Sequence, residues 1–397
     1  MKPRIFIAIH YLELGGAEIS LIGLLNAIDT SRYDVDLFVY SHRGELMKMI
    51  PSGVHILPEI KEYAQIEKPI KEVLKQGGWK IALARLWAKY RFSRYAKKND
   101  LKDGAAILHY ISESVMPFLP DLTKYGEYDL AISFLIPHDI VLKKVRAKKK
   151  IAWIHTDYTR ISVNVDKELP IWSKFDKIVS ISPDVTTAFL KVFPSLSNKI
   201  IEINNVLSPF FVRERAEEFS PSLLQEQGRI NLLSVGRYTV AKNYDNVPDI
   251  CKRIREEGHN VYWYIIGYGG GEALIRSRIK EAGMEDYVIL LGKKENPYPY
   301  MKACDIYVQP SRYEGNSVTV REAQILGKPV VITNYLTAKS QIKQGVDGVI
   351  VPLENESCAK GIIEFIENKD LQKKIIDYLQ THDYGNEKEI EKIYSLI

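Results

Sequence analysis

Short unbroken apolar runs, rich in β-branched residues, alternate along this chain with longer stretches whose apolar residues recur every three or four positions. An unbroken run suits a strand buried on both faces of a parallel sheet, and the three-to-four spacing suits an amphipathic helix. Runs of the first kind lie at 4–10, 33–40, 54–57, 128–135, 151–155, 176–182 and 199–204, and again at 230–235, 261–267, 287–291, 305–310 and 329–333. Helical stretches include 19–28, 357–368, 371–382 and 387–397. Between the two series of strands, residues 206–228 hold Pro209, Pro221, several serines and mixed charges, the composition of a linker. The pattern predicts an α/β protein with an N-terminal domain at 1–205 and a C-terminal domain at 229–385.

With 397 residues the chain is long for one core and sufficient for two. It is 46% hydrophobic and 26% charged, ordinary for a globular protein. Cys251, Cys304 and Cys358 are widely separated and fit no metal or redox spacing, so a reducing cytoplasm is expected. The apolar stretch near the start ends at His10, too short for a signal-peptide core, and no run reaches membrane-spanning length.

Charge changes the picture more than composition does. Residues 68–102 carry eleven basic side chains against two acidic ones, a surplus larger than the +5 of the whole chain. They form the centre of a basic helical segment at 61–103, in which Trp79, Trp87 and further apolar residues alternate with Arg91, Arg94, Lys97 and Lys98. A basic helix with an aromatic face can lie in an anionic membrane interface. The same composition also suits a solvated helix whose apolar face packs on its own domain. No nucleic-acid-binding module surrounds it.

The stretch 305–335 holds the most chemistry. It reads as strand, loop, helix and strand, with Ser317 placed to cap a helix starting at Val318 and Gly327 and Pro329 to end it. Glu314 falls in the loop past a strand's carboxyl end, where open α/β sheets bind ligands. Gly315 permits close approach of a ligand, and Asn316, Ser317 and Val318 offer helix N-terminal amides to an anion. Glu322 follows one turn into the helix. Two carboxylates around an amide nest suit a sugar nucleotide; a solvated loop glutamate and an exposed helix glutamate are the simpler alternative.

Other candidates are weaker. Asp34 and Asp36 spell D-x-D but begin a strand, at the end of the sheet opposite the ligand side, and are read as strand-edge residues. Gly267, Gly269 and Gly271 invite a nicotinamide reading, yet the next strand ends in Gly292, Lys293 and Lys294 rather than the acidic residue that holds a ribose. His155 ends a buried strand on the ligand side.

The stretch SRYEGNSVTVREAQILGKPVV resembles the E-x7-E signature of glycosyltransferase family 4, retaining transferases of the GT-B fold, with Glu314 and Glu322 as its two carboxylates. The resemblance implies two Rossmann-like domains facing each other across a cleft, with a last helix at 386–397 returning to the first. It implies a metal-independent transfer, without cofactor, from a nucleoside-diphosphate sugar, taken as a UDP-hexose or UDP-N-acetylhexosamine. The acceptor expected is a lipid-linked saccharide of bacterial capsule, O-antigen or exopolysaccharide assembly, reached at the inner face of the plasma membrane. By resemblance Glu314 and His155 serve the transferred sugar, and Tyr313 shapes its pocket. Arg237 and Lys242, five residues apart after a strand, hold the diphosphate with Gly16 and Gly267; Lys293 lies by the base and Glu322 by the ribose. A silent sugar-nucleotide-binding subunit, or a sugar-nucleotide hydrolase or epimerase, are the alternatives.

Overall fold

Most of the apolar runs remove their side chains from water on both faces by becoming inner strands of a parallel sheet, while those at 54–57, 199–204 and 287–291 form sheet edges. The computed structural model describes every residue except Met1, Leu14, Lys102, Arg160, Gly315 and Asn316. The chain divides into two units, Met1–Leu207 with Asn386–Ile397, and Ser208–Gly385.

In the first unit seven parallel strands run β1 (Arg4–Ile9), β2 (Asp34–Val39), β3 (His55–Ile56), β4 (Glu127–Ser133), β5 (Arg146–Ile154), β6 (Lys177–Ser180) and β7 (Ile200–Glu202). Their order is β3-β2-β1-β4-β5-β6-β7, so the winding reverses between β1 and β4. Polar first residues meet at the amino edge of this sheet. Asp36 accepts from Arg4 Nη2 at 2.9 Å and from Tyr128 Oη at 2.6 Å, and pairs with His55 Nδ1 at 2.8 Å. The D-x-D is therefore bound up in the sheet edge. The last residues of the chain close on this unit: Tyr394 stacks on Tyr33 at 4.2 Å, and its hydroxyl accepts from the Asp29 amide at 2.8 Å.

The basic segment folds as three helices, Lys61–Ala64, Ile70–Lys75 and Trp79–Lys98. The long one buries Ile81, Ala84, Ala88 and Phe92, and Phe92 meets Tyr110 of the neighbouring helix Ile107–Val115 at 5.7 Å. Packing by the apolar face is thus half the story. The face that packs carries Ile81, the alanines and Phe92, and the tryptophans lie on the other one. Lys102 lies outside the described residues.

The second unit has six parallel strands, β8 (Ile230–Val235), β9 (Val261–Ile266), β10 (Val288–Gly292), β11 (Ile306–Gln309), β12 (Val330–Thr333) and β13 (Val349–Val351). Their order, β10-β9-β8-β11-β12-β13, reverses between β8 and β11. Buried Trp263 donates to Ser234 Oγ at 2.9 Å, and Ser234 donates to the Val308 carbonyl at 2.6 Å, which ties three strands across the core.

Residues 208–228, expected to be a linker, belong to this unit instead. Ser208 and Pro209 open the helix Pro209–Ala216, with the Ser208 hydroxyl accepting from the Phe211 amide. Val212 and Ala216 are buried, and the Arg215 carbonyl accepts from Asn296 Nδ2 at 2.7 Å. Serine and proline here mark a helix start, a role in which they look the same as in a linker.

Candidate active site

A doubly wound sheet opens a crevice at the carboxyl ends of the two strands where its winding reverses. In the second unit those are β8 and β11. The loops that leave them are fastened together: Arg312 grips Asp245 through two hydrogen bonds of 2.8 and 2.7 Å and donates to the Val240 carbonyl at 2.7 Å. Its amide donates to the Ala241 carbonyl at 2.8 Å. Such a bidentate fork fixes geometry as well as distance.

Held this way, Lys242 Nζ reaches Glu314 Oε1 at 2.6 Å. The same oxygen accepts from Ser311 Oγ at 2.6 Å and from Gln309 Nε2 at 3.0 Å. Gln309 is fully buried and is oriented by the Tyr307 hydroxyl, 2.7 Å from its Oε1. Thr337 Oγ1 secures the Glu314 carbonyl at 2.8 Å. Three donors on one oxygen lock the carboxylate, while Oε2 has no partner among the described residues. The ammonium of Lys242 has three donors and gives one to Glu314, which leaves two for an anion.

Sequence reasoning placed Glu314 and Lys242 here but missed their supports, Tyr307, Gln309, Ser311, Asp245, Arg312 and Thr337. One signal was available: a glutamine closing a buried apolar strand must find partners.

The remaining candidates divide. Arg237 follows β8, is exposed, and its side chain makes no hydrogen bond or ion pair among the described residues. Tyr313 is exposed beside Glu314, and Lys293 follows β10 with its Nζ 5.5 Å from the Tyr268 ring centre. Gly315 and Asn316 lie outside the described residues. Ser317 precedes the helix Val318–Ile325 without a side-chain cap, and its amide donates to Gln341 Oε1 at 3.3 Å. That part of the expected amide nest is already engaged, because buried Gln341 also holds the Ser317 carbonyl at 2.6 Å. Gly267 has a packing reason of its own, since a Cβ there would stand 1.9 Å from the Gly236 carbonyl oxygen.

Glu322 is no exposed helix glutamate. It is 4% exposed, and Tyr298 Oη donates to its Oε1 at 2.7 Å. Burial pushes its carboxyl up to about 7, against a smaller downward pull from Tyr298. Its Oε2 has no partner among the described residues.

His155 and Gly16 belong to the first unit. His155 follows β5 with its ring 4.5 Å from Phe134, and burial pushes its imidazole down to about 3. It is therefore a neutral side chain at physiological pH, and its Nε2 is buried without a partner among the described residues. Gly16 is the first residue of the helix Gly16–Ala27, where a Cβ would meet nothing within 4 Å.

The family comparison falls on the second unit. Residues 215–382 match the family model described as glycosyl transferases group 1. The chain is 25% identical over 273 residues to the amylovoran biosynthesis glycosyltransferase AmsD of Erwinia amylovora, covering 68% of this chain and 69% of that protein. It is 31% identical over 127 residues to the Campylobacter jejuni N-acetylgalactosamine-N,N'-diacetylbacillosaminyl-diphospho-undecaprenol 4-alpha-N-acetylgalactosaminyltransferase, 32% of this chain and 34% of that one. Among solved structures, HepE of Anabaena in complex with UDP and glucose superposes with a TM-score of 0.65 at 17% identity, over 99% of this chain and 98% of that chain. The fold is the expected α/β GT-B fold with two Rossmann-like domains.

Proposed function

We propose that this chain is a glycosyltransferase of polysaccharide assembly that moves a sugar from a UDP-sugar, a hexose or N-acetylhexosamine, onto a lipid-linked saccharide at the cytoplasmic face of a membrane. The transfer retains anomeric configuration and uses no metal, as in glycosyltransferase family 4. The bond from C1 of the sugar to the diphosphate breaks and one to the acceptor oxygen forms. The acceptor proton passes to the departing diphosphate, and UDP leaves.

The observation that carries this reading is the Lys242–Glu314 pair, fastened at the winding reversal of the unit that matches the glycosyltransferase model. Lys242, with two donors to spare, and Arg237, whose fork suits phosphate, supply the charge that a diphosphate leaving group needs in place of a metal. Glu314 Oε2 accepts from a sugar hydroxyl and favours the positive charge developing at C1. Glu322 Oε2 accepts from the ribose, and Lys293 lies beside the base. The similarity to AmsD and to the Campylobacter transferase supports the acceptor class.

The test is thermal unfolding with UDP, GDP and ADP, each with EDTA present. UDP at a hundred times its dissociation constant should stabilise by about 2.7 kcal/mol. Arg237→Ala and Lys242→Ala should each reduce that shift. If no nucleoside diphosphate moves the transition, the donor site is misassigned. UDP released from a UDP-sugar equally fast with and without acceptor would mark a hydrolase instead.

A further inference from the structure

The helix Trp79–Lys98 turns one face into its own unit and leaves the other exposed among the described residues. Trp79 is 57% exposed and Trp87 56%, and Leu83, Leu86 and Tyr90 between them are about as open. At 100° per residue these five positions fall on one stripe, and Arg94 and Lys97 prolong it toward the C-terminus. Phe118 is exposed as well, and with Trp79, Leu83 and Trp87 it lines an open groove of about 560 Å³ rimmed by Lys80 and Arg91.

Exposed apolar patches of this kind mark contact surfaces. What covers this one is indicated by charge: the helix carries seven basic residues and no acidic one. Cations also lie against the aromatic rings, with Lys80 5.6 Å from the Trp79 ring centre and Arg94 5.9 Å from that of Tyr90. Arg85 and Arg91 differ from the other basic residues, since Arg85 donates to the Gln65 and Lys68 carbonyls and Arg91 pairs with Glu113 at 3.0 Å. No helix among the described residues is long and apolar enough to cross a membrane.

We propose that this face is a docking surface for an anionic phospholipid bilayer. The helix lies in the interface plane with Trp79, Leu83 and Trp87 among the acyl chains, and with Lys80, Lys89, Arg94 and Lys97 at headgroup phosphates. The surface is independent of the donor site in the other unit. Vesicle binding is read without nucleotide, so its failure and a failure to bind UDP are separate results.

The full chain is mixed with vesicles of phosphatidylcholine, with and without phosphatidylglycerol, and sedimented. The chain has five tryptophans, and Trp153, Trp172 and Trp263 are buried, so a blue shift in emission reports Trp79 and Trp87. Binding should favour the anionic vesicles, shift the emission, and weaken as salt shortens the reach of the charges. Arg94→Glu with Lys97→Glu should lower partitioning on the order of tenfold or more. Leu83→Ser with Trp87→Ser should abolish the blue shift, and both variants should keep the melting temperature. Equal binding to both vesicles, or binding to neither, overturns the proposal. So does salt-sensitive binding to RNA, or self-association that buries the tryptophans, when vesicles are not bound.

Discussion

At the winding reversal of the first unit β1 runs out into His10 and β4 ends on Ser133; in the second, β8 runs out toward Lys242 and β11 toward Glu314. His10 stacks on Tyr40 at 5.2 Å with its Nδ1 on Glu67, and Ser133 bonds to buried His138 at 2.8 Å. Burial pushes the His138 imidazole well down, so it stays neutral. The second unit places a lysine and a glutamate there, in direct contact and ringed by donors. One strand order thus gives two crevices: the first pairs an imidazole with Glu67, the second an ammonium with Glu314. Winding sets where a site can form, and the few side chains beyond the strand ends decide what it does.

The largest test of this contrast removes the charge at its centre. Glu314→Gln keeps the shape, so turnover should fall a hundredfold or more while UDP affinity barely changes, the mark of an interaction made in the transition state. Near-normal turnover with a competent acceptor would show that the crevice merely looks like a reaction centre.

Next comes the pH dependence of Glu322. In the folded chain its carboxyl keeps the proton up to about 7, whereas the unfolded chain releases it near 4.5. Below that lower value the group costs nothing. As pH climbs to about 7 only the unfolded state gains by ionising, so stability falls by about 3 kcal/mol and then levels off. Glu322→Gln should match the parent at pH 4, exceed it by about that amount at pH 8, and lose UDP affinity. Urea unfolding at both pH values reads the first, and a parallel offset at pH 4 and 8 would contradict the burial argument. A retained UDP shift would remove the ribose role.

The smallest effects separate two glycines. Gly267→Ala forces a methyl group against the Gly236 carbonyl and should cost about 2 kcal/mol. Gly16→Ala meets open space and should stay within about 0.5 kcal/mol of the parent. If Gly16→Ala keeps stability but loses turnover, that glycine serves a ligand; if it keeps both, it only opens a helix.

Much of this was legible in the chain itself. Unbroken apolar runs suit strands buried on both faces of a parallel sheet, so an α/β chain of two domains follows from the pattern, and the resemblance adds that both are Rossmann-like. Glu314 stood out because a polar residue just past such a run sits at the carboxyl edge, and Lys242 because its spacing from Arg237 resembles a family motif. Residues 208–228 misled because Ser208 and Pro209 favour a helix start as readily as a linker, and only burial of Val212 and Ala216 decides between them.

Local pattern determined the strands, their parallel pairing and the positions of the charged loops, since each depends on a few neighbouring residues. Tertiary structure alone decided three things. It joined Lys242 to Glu314, 72 residues apart, through Arg312 and Asp245. It sank Glu322 beneath Tyr298, which burial then turned into a weak acid. It also chose which face of the Trp79–Lys98 helix to cover, taking the alanines and Phe92 and leaving both tryptophans out. A helix with apolar residues on more than one side cannot make that choice by itself, because it depends on which surface the rest of the fold brings against it.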